Sequence, residues 1–186
     1  MTTAAVVLAA GRASRFEAGD GAKLLAPFRG RPLVRWAVDA AVEAGFDEVL
    51  VITGAADLTA VLPPGVVVVD NARWAEGQAT SLAAAVDAAA ERGHDAVVVG
   101  LGDQPLVTAG AWRAVGASPA DIAVATYDGT RRNPVRLARP VWPELDREGD
   151  EGARTLMRRR PELVAEVACA GDPVDVDTRE DLERWS

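Results

Sequence analysis

Residues 4–29 read AAVVLAAGRASRFEAGDGAKLLAPFR. The apolar run at residues 4–10 is typical of a strand buried on both faces, and a glycine follows it directly. The cations Arg12, Arg15 and Lys23 come next, within a loop that holds further glycines. Glycine lets the backbone approach a phosphate closely, and cations neutralise the phosphate charge. The stretch therefore predicts a polyphosphate site, and a glycine turn with solvated cations is the alternative.

The composition of the chain narrows the classes of protein to which it can belong. Its 186 residues suit one domain, 1–186, with a sizeable core. The formal net charge of −8 argues against a binder of nucleic acid or of membrane surfaces, since both need a basic face. Cys169 is the only cysteine, so no disulfide can form within the chain. The first residues lack a signal-peptide pattern and no apolar run is long enough to span a bilayer, so we expect a cytoplasmic protein.

Valine-rich runs alternate with helical patterns along the first two thirds of the chain. The runs predict strands buried on both faces at residues 4–9, 48–53, 66–70, 96–101 and 122–126. Helical spacing of apolar residues predicts one helix that begins near residue 33 and another at 79–92. Such alternation is typical of a mostly parallel sheet with helices on both sides. We expect later elements to extend the same sheet, with strands at 131–138 and 163–169 and helices at 152–160 and 178–185.

The first loop matches neither of two common phosphate-binding motifs. The dinucleotide-binding fingerprint needs three glycines at fixed spacing, and the Walker A motif needs Gly-Lys-Ser or Gly-Lys-Thr. Because the fingerprint is absent, the sequence argues against an NAD-dependent oxidoreductase.

Five motifs follow one another along the chain: LAAGRASRF with KLLAPFRGRPLV, then EGQATSL, GDQPLVT, RRNPV and VDVDTREDL. In this order they resemble the MobA-like nucleotidyltransferases, and most closely the molybdenum cofactor cytidylyltransferases. The resemblance covers nearly the whole chain. It implies a single-domain, Rossmann-like fold of three α/β/α layers with a mostly parallel sheet, of the nucleotide-diphospho-sugar transferase type.

The resemblance also implies a reaction. The phosphate of molybdopterin would attack the α-phosphate of CTP in the presence of Mg²⁺, and pyrophosphate would be released. Ala10, where guanylyltransferase relatives usually have a second glycine, and the GDQP motif both favour CTP over GTP. Two alternatives stay open. One is a related guanylyltransferase or another transferase of this fold, and the other is a non-catalytic protein that delivers the molybdenum cofactor to a molybdoenzyme or its chaperone.

The matched motifs imply the residues of the site. The nucleotide would contact Leu8, Ala9, Ala10, Gly11, Arg12, Lys23, Gln78 and Ser81. Arg15, Lys23 and Asp103 would be catalytic, and Asn133 would lie on the acceptor side. A run of three arginines at residues 158–160 has the charge to attract a phosphate, but a solvated helix end is the preferred interpretation.

The segment EGQATSL, residues 76–82, opens the helix predicted at 79–92. Gly77 would allow a ligand to approach closely, and polar groups at a helix start are good hydrogen-bond donors. A plain helix cap formed by Thr80 or Ser81 is the alternative.

Two carboxylates are predicted to hold Mg²⁺, which prefers hard oxygen ligands. Asp103 directly follows the strand predicted at 96–101, so it should face the same crevice as the first loop. The second ligand is expected within residues 174–178, where strand-like alternation directs Asp175 and Asp177 to one side. Asp177 matches the family position more closely. An aspartate in a turn, for Asp103, and a carboxylate at a helix start, for Asp177, are the alternatives.

No nucleophilic side chain is required by this reaction. The acceptor phosphate has a second pKa near ~6, so it is already largely dianionic at neutral pH. Catalysis would then consist of positioning and charge neutralisation. His94, in a polar turn without an obvious partner, and Cys169 are therefore predicted to be structural.

Overall fold

The computed structural model describes residues 1–11 and 22–185. The predictions for Arg12 and Arg15 fall outside these residues and stay predictions. The strands are β1 Thr3–Leu8, β2 Pro27–Phe28, β3 Arg31–Pro32, β4 Glu48–Thr53, β5 Val67–Asp70, β6 Ala96–Leu101, β7 Ile122–Tyr127, β8 Thr130–Ala138 and β9 Val164–Ala168. The helices are α1 Ala22–Leu25, α2 Leu33–Glu43, α3 Gln78–Glu91, α4 Ala109–Gly116, α5 Ala153–Arg159 and α6 Arg179–Trp185. Within the described ranges, no helix has both the length and the apolar character that crossing a bilayer requires.

Seven of these strands form one sheet in the order β5-β4-β1-β6-β8-β7-β9. Strand β1 pairs in parallel with β4 and β6, and β7 pairs in parallel with β9. Strand β8 runs antiparallel to both of its neighbours, β6 and β7. The sheet is therefore mostly parallel, as the sequence predicts, and its second-half strands extend the sheet that the first half begins. The short strands β2 and β3 pair with each other outside it.

Helices cover both faces of the sheet. Alternate residues of β1 show the division, because Ala5 and Val7 pack into the core that includes residues of α2 and α4. Ala4 and Val6 pack into the opposite core, which includes residues of α3 and α5. This is the three-layer α/β/α arrangement that the motifs imply.

The sequence patterns did not predict helix α4. Its sequence AGAWRAVG holds two glycines, and each weakens a helix by about 1 kcal/mol relative to alanine. Packing compensates, since Trp112 is 1% exposed and lies so close to Gly100 of β6 that a side chain there would overlap its ring. Thr108 caps the helix, and its hydroxyl oxygen accepts a hydrogen bond from the N–H of Ala111 at 3.2 Å.

The prediction that the valine run at residues 66–70 is buried on both faces is wrong. Strand β5 lies at the edge of the sheet, and its residues alternate between half-buried and exposed. Val68 is 40% exposed. The order of the strands in the sheet decides which run lies at an edge. This order cannot be inferred from local composition.

Candidate active site

A cleft opens at the edge of the sheet where β1 and β6 end. Its volume is about 540 Å³, within the range of pockets that hold ligands of nucleotide size. Nine of the predicted site residues line it: Leu8, Ala9, Ala10, Gly11, Lys23, Gln78, Ser81, Asp103 and Asp177. Trp74 and Asp150 also line the cleft, and the sequence reasoning missed both. Trp74 could have been suggested by its position, four residues before Gln78. Asp150 lies in a loop outside the five motifs, which therefore do not indicate it.

Lys23 joins the two carboxylates of this cleft. Its Nζ donates hydrogen bonds to Oδ2 of Asp103 at 2.7 Å and to Oδ1 of Asp177 at 3.0 Å. The side chain of Lys23 is 10% exposed, and those of Asp103 and Asp177 are 24% and 44% exposed. Burial lowers the pKa of Lys23, but the two carboxylates outweigh that effect and raise the pKa above its usual value. The lysine therefore stays positively charged.

A backbone hydrogen bond aligns the segments that carry the two carboxylates. The N–H of Val176 donates to the carbonyl oxygen of Asp103 at 3.0 Å. The side chain of Val176 is fully buried in a small core with Phe28 and Leu33. Because Val176 is fixed from both its backbone and its side chain, the neighbouring Asp177 is held beside the end of β6.

Helix α6 begins with a reciprocal cap formed by Thr178 and Asp181. The Oδ2 atom of Asp181 accepts hydrogen bonds from the N–H groups of Asp177 at 3.2 Å and Thr178 at 2.9 Å. In return, the hydroxyl oxygen of Thr178 accepts from the N–H of Asp181 at 3.1 Å. Thr178 and Asp181 thus supply the cap, and Oδ1 of Asp177 accepts from Lys23.

The paired carboxylates suit a divalent cation. Oxygens of Asp103 and Asp177 already share one cation, the ammonium of Lys23, and carboxylate oxygens are ligands that Mg²⁺ prefers. Across residues 1–11 and 22–185, no group of three or more His, Cys, Asp or Glu side chains is placed to hold a metal ion. Asp103 and Asp177 are the residues that would hold such an ion, and the ammonium of Lys23 would compete with it for the same carboxylates.

Helix α3 begins at Gln78 on the wall of the cleft. The N–H of Ala79 in its first turn donates to the carbonyl oxygen of Gly149 at 2.9 Å. Neither Thr80 nor Ser81 caps the helix through its side chain. The alternative of a plain side-chain cap is therefore wrong, because a carbonyl from a distant loop accepts one of the free N–H groups at this end.

Gly77 makes room for that distant loop. Its φ is +116°, in the left-handed region that favours glycine. A side chain at Gly77 would overlap the carbonyl of Gly149 and the carboxylate of Asp150. The close approach that the sequence predicts at Gly77 is thus made by the protein's own loop, which brings Asp150 to the cleft.

We expect Gly77→Ala to lower the free energy of unfolding by about 1–3 kcal/mol, through backbone strain and overlap with the loop. Urea denaturation measures the change. Gly65→Ala is the matched control, because Gly65 also has a positive φ, +89°, but open space surrounds the position of a side chain. Equal losses in the two variants would show that contact with the loop contributes nothing.

A second pocket of about 330 Å³ adjoins the cleft, and Gln78 and Leu101 line both. Asn133, predicted on the acceptor side, lines this second pocket and not the cleft that holds Lys23. The register between β7 and β8 shifts here, so that Asn133 and Pro134 have no paired residue on β7. Such bulges commonly redirect side chains beside functional sites.

The motifs GDQP and VDVD each contribute to both pockets. Asp103 and Asp177 line the cleft, whereas Gln104 and Asp175 line the second pocket. The Nε2 of Gln104 donates to Oδ1 of Asp175 at 2.9 Å. The strand-like alternation predicted for Asp175 and Asp177 is wrong, because their segment is not a strand, and the two carboxylates have different hydrogen-bond partners. Burial, together with the nearby charges of Asp103 and Asp177, raises the pKa of Asp175.

The run of arginines at the end of α5 is divided between different surroundings. Arg158 lines the second pocket. Arg159 pairs with Asp146 at 3.1 Å and Arg160 pairs with Glu144 at 2.6 Å, outside that pocket. The solvated helix end favoured by the sequence reasoning describes these last two side chains.

His94 and Cys169 lie apart from both pockets, as far as the described lining residues show. The Nε2 of His94 is 3.1 Å from Oε2 of Glu48, so the prediction that His94 lacks a partner is wrong. That partner is 46 residues away in the sequence and cannot be found from local context. Burial raises the pKa of the Cys169 thiol, and its Sγ donates to the carbonyl oxygen of Val167 at 3.4 Å.

The fold and the cleft together define a three-layer α/β protein whose parallel strands end at a site for a nucleotide. The family model of the MobA-like NTP transferase domain matches residues 5–164. The chain belongs to this family.

Similar proteins match almost the whole chain. Nicotine blue oxidoreductase of Paenarthrobacter nicotinovorans is 34% identical, over 96% of this chain and 94% of its own length. The crystal structure of Rv0371c from Mycobacterium tuberculosis H37Rv has a TM-score of 0.84 at 33% identity, over 100% of this chain and 97% of that one. Rv0371c has also been crystallised as a complex with manganese. A nucleotidyl transferase from Methanothermobacter thermautotroptrophicus has a TM-score of 0.83 at 25% identity, over 98% of this chain and 95% of that one. The family and these neighbours place the chain among the nucleotidyltransferases.

Proposed function

We propose that this protein transfers CMP from CTP to the phosphate of molybdopterin, with Mg²⁺ bound, and releases pyrophosphate. The observation that carries the proposal is the hydrogen-bonded bridge from Lys23 to Asp103 and Asp177, within a cleft of nucleotide size. Transfer of a nucleotidyl group requires neutralisation of charge on the phosphates. This cleft supplies a cation and a pair of metal-binding oxygens at one point.

Each charged residue of the cleft has a separate task in this proposal. Asp103 and Asp177 would hold the Mg²⁺ ion, which would neutralise charge on the triphosphate. Lys23 would contact phosphate oxygens of the substrate and of the leaving pyrophosphate. Arg12 and Arg15 add further positive charge to the same group. Residues 8–11 line the cleft, and the triphosphate is proposed to approach the backbone at Gly11.

A general base is not needed, because the acceptor phosphate is already an anion at neutral pH. In agreement, no histidine or cysteine is among the described residues that line the cleft. The protein therefore works by holding the acceptor phosphate, the α-phosphate and the leaving group in line. The nucleoside is proposed to contact Gln78 and Ser81, and the choice of CTP is supported by Ala10 and the GDQP motif.

We expect pyrophosphate release only when CTP, Mg²⁺ and molybdenum-loaded molybdopterin are all present. The assay uses each of the four NTPs, with and without the acceptor, and a parallel series with a chelator as control. Equal or better use of GTP would replace the CTP assignment with a guanylyltransferase. Absence of pyrophosphate from every NTP would instead favour a protein that only binds and delivers the molybdenum cofactor to a molybdoenzyme or its chaperone.

The similarity to nicotine blue oxidoreductase makes a redox reaction the second candidate. The sequence lacks the three-glycine fingerprint of dinucleotide-binding enzymes, which weighs against this candidate. Oxidation of NADH or NADPH with nicotine blue as the electron acceptor, followed by absorbance, separates the two reactions. Oxidation of either cofactor without pyrophosphate release would favour the redox candidate.

A further inference from the structure

Asp150 differs from the other two carboxylates that line the cleft. Oxygens of Asp103 and Asp177 share the ammonium of Lys23, at 2.7 Å and 3.0 Å. In the part of the chain that the structure describes, the carboxylate of Asp150 forms no ion pair and accepts no hydrogen bond, and the residue is exposed. A carboxylate without a neutralising partner repels a triphosphate, since both are negatively charged. Asp150 therefore suits a part of the ligand that carries hydrogen-bond donors.

Contacts within the protein hold Asp150 beside the start of helix α3. The carbonyl oxygen of the preceding Gly149 accepts from the N–H of Ala79 at 2.9 Å. The guanidinium of Arg147, in the same loop, donates to both carboxylate oxygens of Asp87 on α3, at 2.8 Å and 2.9 Å. Because the loop is attached to α3 on this side, the carboxylate of Asp150 has a defined position before a ligand binds.

The same loop borders the side chain of Gln78. A Cβ atom at Gly77 would lie 2.7 Å from Oδ1 of Asp150. A Cβ atom at Gly152, further along the loop, would lie 3.8 Å from Cδ of Gln78. Both Asp150 and Gln78 line the cleft. One wall of the cleft thus carries a carboxylate, which only accepts hydrogen bonds, and an amide, which also donates them.

The pairing edge of cytosine matches this wall. Its exocyclic amino group is a hydrogen-bond donor, and the ring nitrogen beside that group is an acceptor. Aspartate and glutamate are known acceptors for this amino group in DNA recognition. Uracil has a carbonyl oxygen in place of the amino group, and a carboxylate repels that oxygen. A single carboxylate can therefore distinguish two nucleotides that are otherwise closely alike.

We propose that Asp150 determines the choice of base, because its carboxylate accepts a hydrogen bond from the exocyclic amino group of cytosine. The amide of Gln78 donates to the neighbouring ring nitrogen. Asp150 has this role only if the ligand of the cleft is a nucleotide, as the proposed function requires. Hydrogen bonds to a charged group are stronger than neutral ones, so removal of the charge has a measurable effect on base selection.

Isothermal titration calorimetry with CTP, UTP and the triphosphate of zebularine tests the role of Asp150, with Mg²⁺ present and no acceptor. Zebularine has the ring and the ribose of cytidine, with a hydrogen in place of the amino group. We expect the wild type to bind CTP at least about tenfold more tightly than either of the other two nucleotides. All three share the ribose and the triphosphate, so the difference reports on the amino group.

Asp150→Asn is expected to reduce the preference for CTP over UTP to about threefold or less. Asparagine accepts from the amino group without the assistance of a charge, and its own N–H donates to the uracil oxygen. Glu148→Gln is the matched control, because it removes one negative charge from the same loop at an exposed residue that lines neither pocket among the described residues. This control should keep the wild-type preference. An unchanged urea midpoint in both variants shows that the fold is retained.

A contact between Asp150 and the ribose gives a different result. In that case Asp150→Asn would change the ratio of the affinities for CTP and dCTP, and it would leave the ratio for CTP and UTP as in the wild type. That result would overturn the proposal. Equal binding of CTP and zebularine triphosphate by the wild type would overturn it as well.

Pyrophosphate release separates failure of this role from failure of the transferase assignment. If CTP and molybdenum-loaded molybdopterin release pyrophosphate but Asp150→Asn keeps the wild-type preference, the transferase assignment stands and the role of Asp150 is refuted. If Asp150→Asn loses the preference for CTP and no NTP releases pyrophosphate, Asp150 still selects the base and the transferase assignment fails.

Discussion

Lys23→Met is expected to lower turnover about 10²–10³-fold and, in the same protein, to tighten the binding of Mn²⁺ in the absence of nucleotide. Turnover is expected to fall because the variant loses the cation that we propose to neutralise the phosphates. Metal binding tightens because the ammonium of Lys23 no longer shares Asp103 and Asp177 with the incoming ion. The two effects have opposite signs, which a general loss of structure does not produce.

Electron paramagnetic resonance of free Mn²⁺ measures the metal affinity, and pyrophosphate release measures turnover. Arg113→Met is the control, because Arg113 is an exposed cation of α4 that lines neither pocket among the described residues. Lys23 is also the only lysine of the chain, so a lysine side-chain ¹⁵N label reports on it alone. That signal should move when CTP and Mg²⁺ are added together. Weaker or unchanged Mn²⁺ binding in Lys23→Met would contradict the competition between lysine and metal.

Asp103→Asn is expected to lower turnover by at least about 10²-fold and to weaken Mn²⁺ binding, the reverse of the metal effect expected for Lys23→Met. Asparagine keeps the shape of the side chain and can still accept a hydrogen bond from Lys23, so the loss reports on charge. The same resonance and pyrophosphate assays measure both quantities.

Asp172→Asn removes one negative charge close in the sequence to the VDVD segment, at a residue that lines neither described pocket. It should leave turnover and Mn²⁺ affinity near their wild-type values. If Asp103→Asn retained wild-type turnover, Asp103 would not hold an ion that the reaction needs, and the proposed metal site would fail. If Asp103→Asn retained its Mn²⁺ affinity but lost turnover, the metal ligands would be residues other than Asp103.

Most of the sheet was predictable because its central strands are short valine-rich runs with clear ends. The predicted strand 96–101 coincides with β6, and the strand predicted at 4–9 differs from β1 by one residue at each end. The reversal of β8 was not predicted, because strand direction depends on pairing partners far away in the sequence. Helix α4 was missed for a related reason, since it depends on Trp112 packing against Gly100 more than on its own glycine-containing sequence.

The residues of the cleft were predictable to the extent that they follow a strand or belong to a motif. Asp103 was found because β6 ends two residues before it. Residues that reach the cleft from irregular loops carried no such signal, and Asp150 is an example. The position of Gln104 and Asp175 in the second pocket could not be predicted either. It depends on the direction of side chains in segments without regular structure.

The contacts of Lys23 also determine when the cleft can form during synthesis of the chain. Asp103 and Asp177 are 80 and 154 residues away from it along the chain. Contacts between residues so far apart form late, since they require the intervening chain to be in place. The strands from β1 to β6 have already left the ribosome when the VDVD segment is still being made. In the nascent chain, Lys23 and Asp103 are therefore present before Asp177. The cleft is complete only after the VDVD segment has been synthesised.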